Sequence, residues 1–120
     1  MDSKQIIHEL KSTLNQLEKV EKQYCECKKE KQQIQFEIEQ TQHLLIIQGK
    51  IDGKNQDIRK AQKWVHTKDL QEEKRLIEIK ERQLEVQQKH LERKLSTLQT
   101  IANIIINDKN QSNQIMLTLK

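Results

Sequence analysis

The sequence predicts an all-α fold, an antiparallel two-helix coiled-coil hairpin that self-associates into a helical bundle, and three observations carry that expectation. The 120 residues include no proline and only two glycines, so the turns that an α/β or all-β domain needs are missing. Two long heptad seams fill most of the chain. Both glycines fall in the one short stretch between them. A competing arrangement, one unbroken helix of about 100 residues, stays open because a glycine inside a helix costs only ~1 kcal/mol relative to alanine.

The first helix is expected over about residues 3–48. Alternating steps of four and three give Ile6, Leu10, Thr13, Leu17, Val20, Tyr24, Cys27, Lys31, Ile34, Ile38, Thr41 and Leu45, and nine of these twelve are apolar or nearly so. A seam sustained over that many heptads is the pattern of a coiled coil.

The turn is expected at residues 49–55, with Gly49, Asp52, Gly53 and Asn55 as its working residues. Glycine accepts the left-handed conformation that closes a helix, and Asn55 is a good N-cap for the next one. Asp57, in the first turn that follows, suits the positive end of the helix dipole.

The second helix is expected over about residues 56–106, where Leu70, Ile77, Leu84, Leu91, Leu98 and Ile105 recur every seven residues. The companion positions are poorer: Lys74, Glu81 and Gln88 precede Leu95 and Ala102. Two helices of matched length joined by a short loop fold back antiparallel. A hairpin centred near residue 52 sets Lys28, Lys29 and Lys31 opposite Glu72 and Glu73, and Glu18 and Glu21 near Arg82 and Lys80.

Two helices cannot cover the ends of such a hairpin. Ile6, Ile7, Ile104, Ile105 and Ile106 crowd the open end, and Leu44, Ile46, Ile47, Ile58, Trp64 and Val65 crowd the turn. These are the candidate contacts to a second copy or to a protein partner. Residues 108–120 read as a polar linker and a short apolar tail, Ile115, Met116, Leu117, Thr118 and Leu119, which is either a frayed terminus or a docking element.

Charge and chemistry limit the function classes. The net charge of +4 concentrates in the second half, since residues 1–48 carry 7 basic and 8 acidic side chains and residues 55–106 carry 11 and 8. No phosphate loop, nucleophile elbow or His-Glu-x-x-His is present, so no catalytic site and no cofactor is expected. His8, His43, His66 and His90 are scattered, and Cys25 and Cys27 diverge at i, i+2 on a helix, so no metal site is expected either. The unpaired thiols suit a reducing, cytoplasmic setting. Mean hydropathy is −0.95 and no apolar run approaches the ~20 residues that cross a bilayer.

One basic cluster stands out. Lys50, Lys54, Arg59, Lys60 and Lys63 gather at the turn beside the single Trp64. Basic side chains that neutralise phosphates and an aromatic ring that stacks on a base are what single-strand binding requires. The plainer expectation is that Trp64 packs against the facing helix near Leu44 and Ile47, with the lysines forming a solvated face.

Residues 51–62 resemble a turn found in small helical proteins of bacteriophages and prophages, in which Gly-Lys-Asn is followed by an Arg four residues after the Asn; Gly53, Lys54, Asn55, Arg59 and Ala61 match it. The resemblance implies a phage or mobile-element setting, two long coiled-coil helices joined by this motif, and no defined activity. The expected function is a non-enzymatic protein–protein interaction module, a scaffold, adaptor or inhibitor. The alternative is a nucleic-acid accessory factor that uses the basic tip and second helix.

Overall fold

A computed structural model describes residues 2–119, with side chains described through residue 109. It is an all-α helical hairpin of two helices, α1 (Ser3–Ile47) and α2 (Gln56–Leu119), and the unbroken-helix alternative is thereby excluded. Each boundary has a local cause. At the start of α1 the Gln5 backbone N–H donates to Asp2 Oδ1 (2.8 Å) while the Asp2 N–H donates to Gln5 Oε1 (3.0 Å), a reciprocal capping box. At its end Gly49 sits at φ 72°. There the Lys50 N–H reaches the Leu45 carbonyl (2.9 Å) and the Gly49 N–H reaches that of Ile46 (3.1 Å), the two bonds of a Schellman motif. Asn55 caps α2, its Oδ1 accepting from the Ile58 N–H at 2.9 Å.

The far end of α2 differs from the sequence expectation. The helix does not stop near residue 106 but runs to Leu119, taking in the stretch expected to be a polar linker and tail. Residues 107–114 are polar, yet they contain neither proline nor glycine, and their Lys and Gln are good helix formers. Polarity alone ends no helix. Whether the side chains of residues 115–119 dock is a question that lies outside the described residues.

The chain divides into two compact units, Met1–Lys22 with Glu85–Lys120, and Gln23–Leu84. In the second, the turn unit, Cys27, Ile34, Ile38 and Leu45 of α1 are buried with Ile51 of the turn and Thr67 and Leu84 of α2. In the first, the open-end unit, Ile6, Thr13, Leu17 and Val20 are buried with Leu91 and Leu98. Every one of the twelve seam positions of α1 is buried or half-buried, and so are the heptad positions of α2 and their polar companions. Fully burying one such aliphatic side chain is worth ~1.5–3 kcal/mol.

The charge register is the main correction inside the turn unit. Lys31 lies 3.6 Å from Glu81, not against Glu72 or Glu73, and Lys74 Nζ donates to Gln35 Oε1 at 2.8 Å. Glu72 turns instead to Arg75 on its own helix, which it meets at 2.6 Å. The cause is the turn. The segment after Gly49 does not cross directly between the helix ends but lies along the first turns of α2, where Gln62 holds its backbone and Gly53 touches Ile58. α2 therefore spends its first turns on the loop, and its first fully buried residue is Thr67, which is 1% exposed.

Candidate functional site

The turn is built from the four residues expected there, joined by two that complete it. Gly49 supplies the positive φ with open space around it. Gly53 is required for a different reason: a Cβ at this position would come within 2.5 Å of Ile58 Cγ2 and 2.9 Å of Ile58 Cβ. Gln62 Oε1 accepts from the backbone N–H groups of Asp52 (3.2 Å) and Gly53 (3.0 Å), and its Nε2 donates to Asp52 Oδ1 at 2.9 Å. Arg59 donates through a terminal guanidinium nitrogen to the Gly53 carbonyl at 3.3 Å, so it reaches back to the turn and not to α1. Gln62 was not singled out by sequence reasoning. Its signal was its place at the end of the phage-like stretch, one turn beyond Ile58.

Trp64 is a second correction. It is not buried between the helices: Trp64 is 56% exposed, and Leu44 and Ile47, which were expected to cover it, are 56% and 80% exposed. Carrying the α2 seam backwards from Leu70 and Lys74 reaches Lys63 and Thr67, which leaves Trp64 off it. Lys63 is half-buried and Thr67 is buried, as that register requires. The tip is consequently an exposed apolar surface, to which Val65 adds a side chain 70% exposed, with Ile46 and Ile58 about half exposed. Lys50, Lys54, Arg59 and Lys60 are all exposed in the same unit.

The open end holds a second apolar surface. Ile6 is buried, Ile105 half-buried, and Ile7, Ile104 and Ile106 are more than half exposed. Polar bridges join the helices in this unit, among them Lys94 to Glu9 at 3.4 Å and Lys109 Nζ to Ser3 Oγ at 3.1 Å.

Among the described residues no group of three or more His, Cys, Asp or Glu side chains could hold a metal ion. Cys27 is buried in the seam as a small hydrophobe, and Cys25 is exposed. Among those residues too, no helix is long and apolar enough to cross a membrane. Lys28 lies over the Tyr24 ring at 4.7 Å, and the groove beside it, lined by Lys31, Gln35, Lys74 and Glu81, is a polar interruption of the seam. Its four groups are engaged largely with one another, which suits fixing a register better than binding a ligand. Comparison of the chain with protein-family models, with curated proteins and with solved structures finds no match in any of the three.

Proposed function

We propose that this chain is a non-enzymatic coiled-coil interaction module, a scaffold, adaptor or inhibitor, that presents the apolar tip of its hairpin to another protein in the cytoplasm. The observation that carries the reading is the exposed set Leu44, Ile47, Trp64 and Val65 beside a seam that is already complete. Apolar side chains this exposed near the tip are available for docking on another protein. The phage-type turn adds a phage or prophage setting to this reading. A photo-crosslinking amino acid placed at Trp64 in the native host tests it. Attachment to one defined protein supports the module, and the absence of any specific protein adduct contradicts it.

One observation favours a second reading, the nucleic-acid accessory factor: Trp64 is 56% exposed and Lys50, Lys54, Arg59 and Lys60 are exposed in the same unit. Single-strand binding that weakens steeply with salt is then expected, and is abolished when Lys54, Arg59, Lys60 and Lys63 are all replaced by Gln. Undetectable or unaltered binding rejects it.

A further inference from the structure

We infer that a second copy of this chain covers the apolar groove at the open end, the C-terminal turns of each α2 lying in the groove of the other. The inference goes beyond the reading above and takes up the self-association expected from the sequence, and three observations on the open-end unit support it.

The first is the groove. Ile6, Ile7, Leu10, Ala102, Ile105 and Ile106 line a depression of about 280 Å³. That volume lies at the low edge of the ~300–1,000 Å³ of small-molecule sites, and the lining offers almost nothing to orient a polar ligand. It suits a few apolar side chains of a helix.

The second is a mismatch of helix ends. α1 is terminated by its capping box at Asp2, and the first helical residue, Ser3, accepts a hydrogen bond from Lys109. α2 continues ten residues beyond Lys109, to Leu119. At 1.5 Å per residue that is about 15 Å of helix with no turn of α1 beside it. Because the helix is continuous, it carries residues 115–119 away from the groove of their own chain. The groove can therefore receive them only from another copy.

The third is the sequence itself. Apolar Ile104, Ile105 and Ile106 are followed by the polar residues 107–114 and then by apolar Ile115, Met116, Leu117 and Leu119. The pattern is symmetric about a point between Asn110 and Gln111. Two copies of α2 crossing antiparallel at that point bring the apolar block 104–106 of one to the level of the apolar block 115–117 of the other, and the polar blocks to the same level. A self-complementary patch of this kind is what a closed symmetric dimer needs.

The test combines mass and distance. Sedimentation equilibrium should give twice 14.4 kDa for the full chain. It should give a single chain mass for Met116→Asp, with helix content retained because this position lies beyond the hairpin. Leu119→Asp is the second variant, expected to weaken the dimer at least tenfold. A single spin label at Gln111→Cys, in a background with Cys25→Ser and Cys27→Ala, should report one distance between chains of roughly 10–20 Å, given helix axes ~8–10 Å apart. A monomer, a dimer unaffected by both aspartates, or a dimer without that short distance overturns the inference. A monomer that still crosslinks to a protein through Trp64 would refute the dimer alone and leave the proposed function standing.

Discussion

The two units bury their seams alike, but the turn unit adds a loop whose backbone is held in place by hydrogen bonds. In the turn unit the chain is fastened through backbone groups: the two bonds behind Gly49, the Asn55 cap, and the Gln62 side chain that accepts from Asp52 and Gly53. Between the helices both units are linked, beyond apolar packing, by long side chains: Lys31 to Glu81 and Lys74 to Gln35 in the turn unit, Lys94 to Glu9 and Lys109 to Ser3 in the open-end unit. Each unit also buries one threonine. Thr67 in the turn unit donates its hydroxyl to the Lys63 carbonyl at 2.7 Å, whereas Thr13 at the open end, 0% exposed, has no hydrogen-bond partner. The difference teaches that the loop is fixed by specific backbone contacts, whereas along the helices both units rely on seam burial and a few side-chain links.

The largest expected effect comes from the core of the turn unit. Ile38 is 2% exposed, and Ile38→Ala should cost ~2–5 kcal/mol, read from urea denaturation, because it removes buried methyl groups and leaves a cavity. Next comes Gly53→Val. Its side chain would occupy the space of Ile58, so a loss of ~1–3 kcal/mol is expected, and thermal melts showing no loss would mean that the loop does not lie against α2.

Much of this was legible in the sequence, for a reason that also marks the limit. Heptad periodicity reports which face of a helix is covered, and every position from Ile6 to Leu45 behaved as its step predicted, including polar Thr13 and Lys31. Periodicity does not report how far one helix has slid along the other. That depended on Gln62 and on the burial of Ile51 in the turn, neither of which carries a repeat signal. Trp64 was misplaced because its apolar neighbours imitate a seam while the true one, traced through Lys63 and Thr67, is partly polar there. The reach of α2 was missed because a run of polar residues was read as a linker when nothing in it breaks a helix.

The two threonines sharpen the comparison with effects of opposite sign. Thr13→Val should raise stability by ~1 kcal/mol, since it replaces a buried unpartnered hydroxyl with a methyl group of similar shape. Thr67→Val should lose up to ~0.5 kcal/mol, because it removes a hydrogen bond that is made. Equal shifts in a thermal melt would erase the distinction between the units.

The smallest effect is the exposed pair Glu72 and Arg75. The hydrogen bonds from Arg75 hold the Glu72 carboxyl below its usual value, and those same bonds raise Arg75. A lowered acid stabilises the fold above its unfolded-state pKa and loses that contribution as pH falls through the lowered value. Glu72→Gln should therefore melt slightly earlier than the parent at neutral pH and identically in strong acid.

The most direct measurement uses the only tryptophan in the chain. If α2 spends its first turns on the loop and leaves the tip bare for a partner, Trp64, 56% exposed, should in the isolated protein be readily quenched by acrylamide, far more than a buried tryptophan, with emission near that of a solvated indole. Emission shifted to the blue and shielded from quencher would place Trp64 in a packed seam or interface, and would contradict a tip held open for docking.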